Sequence, residues 1–168
     1  GYLPSVEERL NNLEQWNSYL NETAASRSVL NDSWEELGPD YYNATSGWNP
    51  GVGRITGLAI DEADANHMIV GANTGGVWKT TDGAQTWTPL SDYFSNLSVY
   101  SVAIDPLDSS TYYFGSTNGK IFKSTDAGAT WALLGSIGNS SVNKILIHPT
   151  DTNILFATAS NAGIYRSI

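Results

Sequence analysis

Apolar residues recur at a fixed interval along about the last two thirds of the chain. Ile60, Ile104 and Ile147 fall into register at spacings of 44 and 43 residues, and the residues around them match as well. Each unit contains short apolar runs separated by Asp, Asn, Pro and Gly, which is the pattern of strands joined by turns. Four strands in about 44 residues is the spacing of a β-propeller blade. The pattern therefore predicts an all-β fold built from such blades.

The register also predicts the domain boundaries. We expect blade 1 at residues 53–97, blade 2 at 98–140 and a partial blade 3 at 141–168. These 116 residues, at about 44 per blade, make about 2.6 blades, whereas closed propellers have about four to eight. We therefore expect an incomplete propeller in a truncated chain, completed by the remainder of its own propeller or by another chain.

The first 52 residues show a different pattern. Ser5 and Glu8 form a capping-box start for an amphipathic helix predicted within residues 1–22. Its apolar side chains recur at spacings of three and four, namely Val6, Leu10, Leu13, Trp16 and Leu20. Either this helix docks on the following domain or it binds a partner. Residues 23–52 are expected to be an extended linker that packs on the propeller.

The net charge of the chain limits the kinds of partner that it is expected to bind. Eight basic residues stand against 17 acidic ones, for a formal net charge of −9, so no basic stripe is present to neutralise phosphates. We therefore expect no nucleic-acid partner. No apolar run approaches the roughly 18 residues of a membrane span and no signal peptide opens the chain, so membrane insertion is not expected. The absence of cysteine excludes disulfides, thiolate metal sites and a thiol nucleophile.

A short motif occurs twice, 44 residues apart, between the predicted third and fourth strands. Residues 80–87 read Thr-Thr-Asp-Gly-Ala-Gln-Thr-Trp, and residues 124–131 read Ser-Thr-Asp-Ala-Gly-Ala-Thr-Trp. The motif resembles the Asp-box, Ser/Thr-x-Asp-x-Gly-x-Thr-Trp, of the bacterial neuraminidase-type repeat. The second copy matches at every specified place. The first has Ala84 in place of glycine, which raises the question whether its backbone keeps a positive φ there.

We interpret the motif as structural. A short acidic side chain accepts hydrogen bonds from amides of its own turn, glycine supplies the left-handed residue, and tryptophan packs beneath the hairpin. A direct catalytic or calcium-binding role of the two aspartates is the alternative, although an active site has no need to recur in each blade. The residues assigned to the structural role are Thr80, Asp82, Thr86, Trp87, Ser124, Asp126, Gly128, Thr130 and Trp131.

A longer stretch of sequence carries a wider resemblance. Residues 34–39 read Trp-Glu-Glu-Leu-Gly-Pro, residues 53–55 read Gly-Arg-Ile, and residues 72–79 read Ala-Asn-Thr-Gly-Gly-Val-Trp-Lys before the first motif. Together they resemble the N-terminal blades of large secreted proteins with sortilin-like or neuraminidase-type repeats, many of them exported to the bacterial cell surface by the type IX route of Bacteroidota. The resemblance covers about residues 34–168. It implies a β-propeller fold and a secreted or cell-surface location.

No catalytic site is predicted within the blades. Sialidases, which share the Asp-box, need an arginine cluster, and the repeats contain only Arg54 and Arg166. Xyloglucan-degrading glycosidases of similar build carry a catalytic acid before the Gly-Gly pair, where this chain has Asn73, and an amide cannot transfer a proton. His67 and His148 lack the spacing of metal ligands and are expected to be turn residues. We therefore predict neither a cofactor nor a metal site.

Loops at one end of the blades form the predicted recognition face. In a propeller the turns between strands two and three gather at one end together with the crossings between blades, and the Asp-boxes lie at the other end. Amides and aromatic rings suit sugars and peptides, and ordinary polar turns are the alternative interpretation. The candidate residues are Asn73, Tyr93, Phe94, Asn118, Lys120 and Asn161.

Three functions remain open at this point. The first is a non-catalytic recognition and scaffold module of a secreted or cell-surface protein, which binds a glycan or a protein partner. The second is part of a secreted glycoside hydrolase or other hydrolase whose catalytic residues lie beyond residue 168. The third is exported cargo or an accessory subunit bound to a secretion-system or outer-membrane complex. The repeat and the missing acid at Asn73 favour the first.

Overall fold

The structure is a computed structural model that describes residues 37–38, 54–95 and 97–167. The helix predicted within residues 1–22 and most of the linker predicted at 23–52 lie outside the described residues. Within the described ranges the chain forms strands, turns and bends, and contains no helix. The prediction of all-β blades is confirmed for the described residues.

Three antiparallel sheets follow one another along the described part of the chain. Their strands are β1 (Arg54–Ile60), β2 (Met68–Asn73), β3 (Gly76–Thr80), β4 (Thr88–Pro89), β5 (Val99–Asp105), β6 (Asp108–Ser116), β7 (Lys120–Ser124), β8 (Ala132–Ser136), β9 (Val142–Ile147), β10 (Leu155–Ala159) and β11 (Gly163–Arg166). The first sheet contains β1 to β4, the second β5 to β8 and the third β9 to β11, each with neighbouring strands in chain order. The first two sheets have the four strands of a propeller blade, and the third has three.

The register of the strands reproduces the repeat of the sequence. The cross-strand partners at one end of each first hairpin are Ile60 with Met68, Ile104 with Tyr112, and Ile147 with Leu155. The fourth strands differ in length, since β4 has two residues and β8 has five. Pro89 lies opposite Trp78 in β4, and the amide of the next residue, Leu90, donates to the carbonyl of Val77 at 2.8 Å. The proline nitrogen therefore faces away from β3, which an edge strand permits.

The sheets pack on one another through their first strands, with β1 against β5 and β5 against β9. Small residues on the second strands permit the close approach. A Cβ added at Gly71 would lie 2.5 Å from Cγ1 of Val99, and one added at Gly115 would lie 2.6 Å from Cβ of Val142. The main buried cluster, which joins the first two sheets, consists of Ile69, Val77, Val99, Val102, Ile104, Tyr112, Phe114 and Phe122. Each fully buried side chain of this size contributes roughly 1.5–3 kcal/mol to folding.

Candidate functional site

The hairpins between second and third strands lie at the same end of the sheets as the segments that cross from one sheet to the next. We call this end the crossing end. The Gly76 amide donates a hydrogen bond of 3.0 Å to the carbonyl of Leu97, and the Gly119 amide donates one of 2.6 Å to the carbonyl of Ser140. Each of these hairpins is therefore tied by its backbone to the crossing that follows it, which gives the loops a fixed frame.

Left-handed residues shape all three hairpins of the crossing end. Thr74, Asn118 and Asn161 occupy equivalent places and have φ values of 70°, 55° and 59°. Asparagine tolerates this conformation better than most other residues, so the turn itself explains the choice of Asn118 and Asn161. Their exposed side chains are nevertheless directed away from the buried core.

The remaining candidates on this end differ in exposure. Tyr93 is fully exposed in the crossing between the first two sheets, and Lys120 is exposed at the start of β7. Asn73 is half-buried and forms a backbone bridge with Ser98. Phe94 differs from the others, because its ring packs against the main buried cluster. The sequence could not distinguish these two neighbouring aromatic residues, since both lie in one polar segment.

Phe94 is held by two aromatic rings of the second sheet. Its ring centroid lies 6.1 Å from that of Phe114 and 5.0 Å from that of Phe122, and both contacts are edge-on. Such pairs are stabilising beyond the area that they bury. Phe94 therefore anchors the crossing on the second sheet and leaves Tyr93 as the exposed aromatic residue of this segment.

The opposite end of the sheets carries the two copies of the aspartate motif, which we call the first aspartate turn (residues 80–87) and the second aspartate turn (residues 124–131). In the first, Oδ1 of Asp82 accepts hydrogen bonds from the Thr80 hydroxyl at 2.7 Å and from the Thr86 amide at 2.9 Å. Its Oδ2 accepts one from the Thr86 hydroxyl at 2.6 Å. Ala84 has a φ of 72°, so the backbone keeps the left-handed conformation without glycine.

The second aspartate turn repeats this arrangement. Oδ1 of Asp126 accepts hydrogen bonds from the Ser124 hydroxyl at 2.7 Å and from the Thr130 amide at 2.8 Å, and Oδ2 accepts one from the Thr130 hydroxyl at 2.5 Å. Gly128 has a φ of 88°, and its amide donates to the Ser124 hydroxyl at 2.9 Å. The carboxylate of each turn is thus engaged by groups within its own turn.

These hydrogen bonds favour the charged form of both aspartates. Hydrogen bonds from the Thr86 hydroxyl and amide, together with that from Thr80, lower the pKa of Asp82 to about 2. The Thr130 hydroxyl and amide and the Ser124 hydroxyl lower the pKa of Asp126 to about 2. A carboxylic acid with so low a pKa is a poor proton donor near neutral pH. In both turns the carboxylate therefore holds the backbone of its own turn in place.

Each aspartate turn ends in a tryptophan that reaches the preceding segment of the fold. Nε1 of Trp87 donates a hydrogen bond of 2.9 Å to the carbonyl of Leu37, and Nε1 of Trp131 donates one of 3.2 Å to the carbonyl of Leu90. The Trp131 ring also lies edge-on to Phe114, with 4.8 Å between the centroids. The two turns therefore connect neighbouring parts of the fold as well as closing their own hairpins.

A buried polar network joins the first two sheets. Nδ1 of His67 lies 2.8 Å from Oδ2 of Asp61, and Nε2 lies 2.7 Å from the hydroxyl of Tyr112. Because the carboxylate can only accept, Nδ1 carries the proton, and in the neutral imidazole Nε2 accepts the hydrogen bond from Tyr112. His67 lies at the end of a turn, as predicted, but the residue is only 8% exposed, and its ring bridges Asp61 of the first blade and Tyr112 of the second.

The charge environment of this network favours an ionised aspartate beside a neutral tyrosine. Burial raises the pKa of Asp61, but hydrogen bonds from Ser109, the Ala63 amide and His67 outweigh that effect and hold it below its ordinary value. Burial, with the nearby carboxylates of Asp61 and Asp108, raises the pKa of Tyr112 to about 12. Tyr112 is 1% exposed, so the network offers no group to a substrate.

Among residues 37–38, 54–95 and 97–167, no three His, Cys, Asp or Glu side chains are placed to hold a metal ion. The same part of the chain contains no helix of the length and apolarity that a membrane span requires.

Solved structures with a similar fold are known. No protein-family model and no curated protein matches the sequence. An ancestral GH74 enzyme shares 23% identity over 76% of this chain and 15% of its own length, with a TM-score of 0.59. The Niastella koreensis GH74 enzyme shares 27% identity over 67% of this chain and 21% of its own, with a TM-score of 0.56. A GH74 xyloglucanase from Xanthomonas campestris shares 21% identity over 67% of this chain and 22% of its own, with a TM-score of 0.50.

These similarities concern a limited part of each enzyme. The chain spans less than a quarter of the length of the three solved proteins that it resembles. At this level of identity the likeness concerns the fold, since one fold supports many activities. The chain is therefore similar to part of several GH74 enzymes, in blades of the β-propeller type.

Proposed function

We propose that these blades form a non-catalytic recognition and scaffold module of a secreted or cell-surface protein. The crossing end binds a glycan or a protein segment, and the aspartate turns hold the sheets in place from the other end. The observation that carries the proposal is the display of exposed polar and aromatic side chains on hairpins and crossings that are tied together by backbone hydrogen bonds.

The chemistry of the displayed groups supports this role. Tyr93 offers a ring face for stacking on a sugar or a peptide side chain, and the amides of Asn118 and Asn161 can both donate and accept hydrogen bonds. Lys120 adds one positive charge on a chain with a net charge of −9. Because the backbone beneath these groups is already hydrogen-bonded, binding would cost little ordering of the loops.

The test uses glycan and peptide arrays with the 168-residue protein, followed by titration calorimetry of the ligands found. Tyr93→Ala and Lys120→Gln change exposed groups, and Asn118→Gly removes a side chain while glycine still accepts the positive φ of 55°. We expect each variant to weaken binding by about tenfold, which corresponds to the loss of one contact.

The matched control lies at the other end of the sheets. Thr125→Ala alters an exposed side chain of the second aspartate turn and should leave binding unchanged. Ligand binding that survives all three crossing-end substitutions would contradict the proposed face. Glycan hydrolysis by the protein that contains these blades, abolished by a substitution within residues 53–168, would contradict the non-catalytic role.

A second candidate function rests on the comparisons. The Niastella koreensis GH74 enzyme is 27% identical to this chain over the matched region, which supports a hydrolase whose catalytic residues lie beyond residue 168. In that case the crossing end would form one side of a substrate cleft. Hydrolysis that is lost only on changing acidic residues outside residues 53–168 would favour this candidate over the recognition module.

A further inference from the structure

Carboxylates are distributed unequally between the two ends of the sheets. The described residues include nine of them, and eight lie at the end that carries the aspartate turns. Asp92 is the one carboxylate at the crossing end within those residues. The eight lie in the segments 61–67, 80–87, 105–111, 124–131 and 148–154. An anion that approaches the blades is therefore repelled less by the crossing end than by the opposite end.

Lysine and arginine side chains add to this difference. Of the six in the described residues, three lie in the half of the sheets nearer the crossing end. Arg54 begins β1, Lys120 begins β7 and Lys144 is the third residue of β9, and all three are exposed. Within the described residues the crossing end thus carries an excess of positive charge, although the whole chain has a net charge of −9.

The packing of Phe94 places Tyr93 near Lys120. The ring centroid of Phe94 lies 5.0 Å from that of Phe122, and Lys120 precedes Phe122 by two residues on β7. Residues two apart on a strand project from the same face, so Lys120 leaves β7 on the face that Phe94 covers. Tyr93 is next to Phe94 in the chain. The exposed ring and the ammonium group therefore lie on the same side of the second sheet.

The ammonium group of Lys120 is available to a ligand. Within residues 54–95 and 97–167, no carboxylate forms an ion pair with it. Two other lysines, by contrast, make contacts inside the fold. Nζ of Lys79 donates a hydrogen bond of 3.2 Å to the carbonyl of Ala127, and Nζ of Lys123 lies 5.3 Å from the ring centroid of Tyr113.

The exposed groups of the crossing end suit a glycan better than a protein segment. In the part of the chain that the structure describes, the loops of this end expose a single large apolar side chain, that of Tyr93. The buried centre of a protein–protein interface is more apolar and is depleted in charged residues. A ring beside amides and an ammonium group instead matches the C–H faces, hydroxyl groups and acidic groups of a sugar chain.

We infer that the crossing end selects an acidic glycan, one that carries carboxylate or sulfate groups, and this inference rests on the proposed recognition role of that end. A sugar ring stacks on Tyr93, and its anionic group lies at Lys120. The amide of Asn118, in the same hairpin as Lys120, hydrogen-bonds to the hydroxyl groups. Lysine acts as a point charge without the bidentate geometry of arginine, so either anion can bind. The carboxylates of the opposite end disfavour binding of the same glycan at the aspartate turns.

The experiment compares glycans that differ in charge. Polygalacturonate, alginate and hyaluronan are each paired with their methyl ester, and dextran sulfate is paired with dextran. Titration calorimetry with the 168-residue protein measures each pair at low salt and at about 0.5 M salt. We expect one or more acidic polymers to bind about tenfold more tightly than the uncharged partner, and high salt to remove the difference. Equal binding within every pair, or no binding of any acidic polymer, would overturn the inference.

Substitutions assign the preference to the crossing end. Lys120→Gln should weaken binding of the acidic polymer about tenfold and that of its uncharged partner less than twofold, whereas Lys120→Arg should retain the preference. Asp92→Asn should strengthen binding of the acidic polymer. The matched control is Arg166→Gln, which removes an exposed positive charge near the aspartate-turn end and should leave binding unchanged. Equal losses for Lys120→Gln and Arg166→Gln would show an effect of net charge alone and would overturn the inference.

A peptide arm distinguishes a glycan from a protein segment and separates this inference from the recognition role. Poly-glutamate that binds more tightly than every acidic glycan would overturn the inference in favour of an acidic protein segment. Binding of neutral glycans alone would overturn the charge preference and leave the recognition role in place. If no glycan and no peptide of either charge binds, both the inference and the proposed function are wrong.

Discussion

The indole Nε1 of Trp131 donates a hydrogen bond of 3.2 Å to the backbone carbonyl of Leu90 and thereby joins the second sheet to the segment that leaves the first. The same ring lies edge-on to Phe114 with 4.8 Å between centroids. One side chain thus contacts both its own sheet and the crossing that precedes it. The stability of the pair of sheets should depend on the indole N–H as well as on the area of the ring.

Replacement of this tryptophan by phenylalanine separates the two contributions. Trp131→Phe keeps an aromatic ring on Phe114 but removes the donor to the Leu90 carbonyl. We expect the free energy of unfolding to fall by about 1–2 kcal/mol, from the lost hydrogen bond and part of the packing. Urea denaturation followed by circular dichroism measures the change.

Trp131→Ala is the matched comparison, because it removes the ring as well as the N–H. It should cost about 1–2 kcal/mol more than Trp131→Phe. If both variants unfold at the same urea concentration as the parent protein, the tryptophan does not couple the sheets.

Each aspartate turn has two consecutive left-handed residues, Gly83–Ala84 and Ala127–Gly128. The turns differ in which of the two is glycine, which allows a paired test of backbone strain at the second place. Ala84 adopts a φ of 72° and Gly128 a φ of 88°. A left-handed L-residue costs roughly 1–2 kcal/mol, part of which is offset by the greater entropy of glycine in the unfolded chain. Ala84→Gly should therefore stabilise the protein by about 0.5–1 kcal/mol.

The reciprocal change should have the opposite sign and a larger size. Gly128→Ala introduces the same strain and also places its Cβ 2.4 Å from Cδ1 of Leu90, where the side chain must move. We expect a loss of about 2–3 kcal/mol. Equilibrium unfolding in urea measures both variants, and a destabilising Ala84→Gly would refute the account of strain.

The strands could be predicted because the repeat makes each unit evidence for the others. Ile60, Ile104 and Ile147 mark the same register in three sheets, and the structure pairs each of them with the equivalent residue of the next strand. Asn118 and Asn161 could also be assigned to hairpin turns, because residues that tolerate a positive φ recur at the same place in the repeat. Turn residues and a repeat of fixed length are therefore sufficient to predict the blades.

The buried network of His67 could not be predicted from spacing. Its partner Tyr112 is 45 residues away on a neighbouring sheet, and no motif links the two. The available signal is a departure from the repeat in both partners. His67 stands where the other units have Thr111 and Ile154, and Tyr112 stands where they have Met68 and Leu155. The packing of Phe94 could not be predicted for a related reason, because the rings that it contacts belong to the next sheet.

This network should behave as a coupled pair. Tyr112→Phe removes the hydroxyl and leaves Nε2 of the buried His67 without its donor, which should cost about 1–3 kcal/mol of stability. His67→Thr adopts the residue found at the equivalent place of the second sheet. The double variant should be less destabilised than the sum of the single ones by about 1 kcal/mol or more. Urea unfolding of all four proteins measures the coupling, and additivity within about 0.3 kcal/mol would contradict it.

The aspartate turns should also set the acid limit of the fold. The pKa of Asp82 and that of Asp126 are each about 2, against 3.8 for an ordinary aspartate. A pKa that is lower in the folded state means that the fold stabilises the carboxylate relative to the unfolded chain. These groups therefore stabilise the fold at pH values above about 4, the pKa of an aspartate in the unfolded chain. Their contribution is lost as the pH falls from about 4 towards about 2, where the folded carboxylates become protonated.

Substitution of one turn aspartate should therefore flatten the acid side of the stability profile. Asp126→Asn keeps the size of the side chain but removes the group that ionises. The variant should therefore be less stable than the parent protein at pH 7, and its free energy of unfolding should fall less between pH 4 and pH 2. Asp92→Asn, which removes an exposed carboxylate outside both turns, is the control and should leave the profile parallel to that of the parent. Urea midpoints measured at intervals from pH 2 to pH 7 give the three curves. If the Asp126→Asn curve stays parallel to the parent curve through the acid range, the low pKa of the turn makes no contribution to stability.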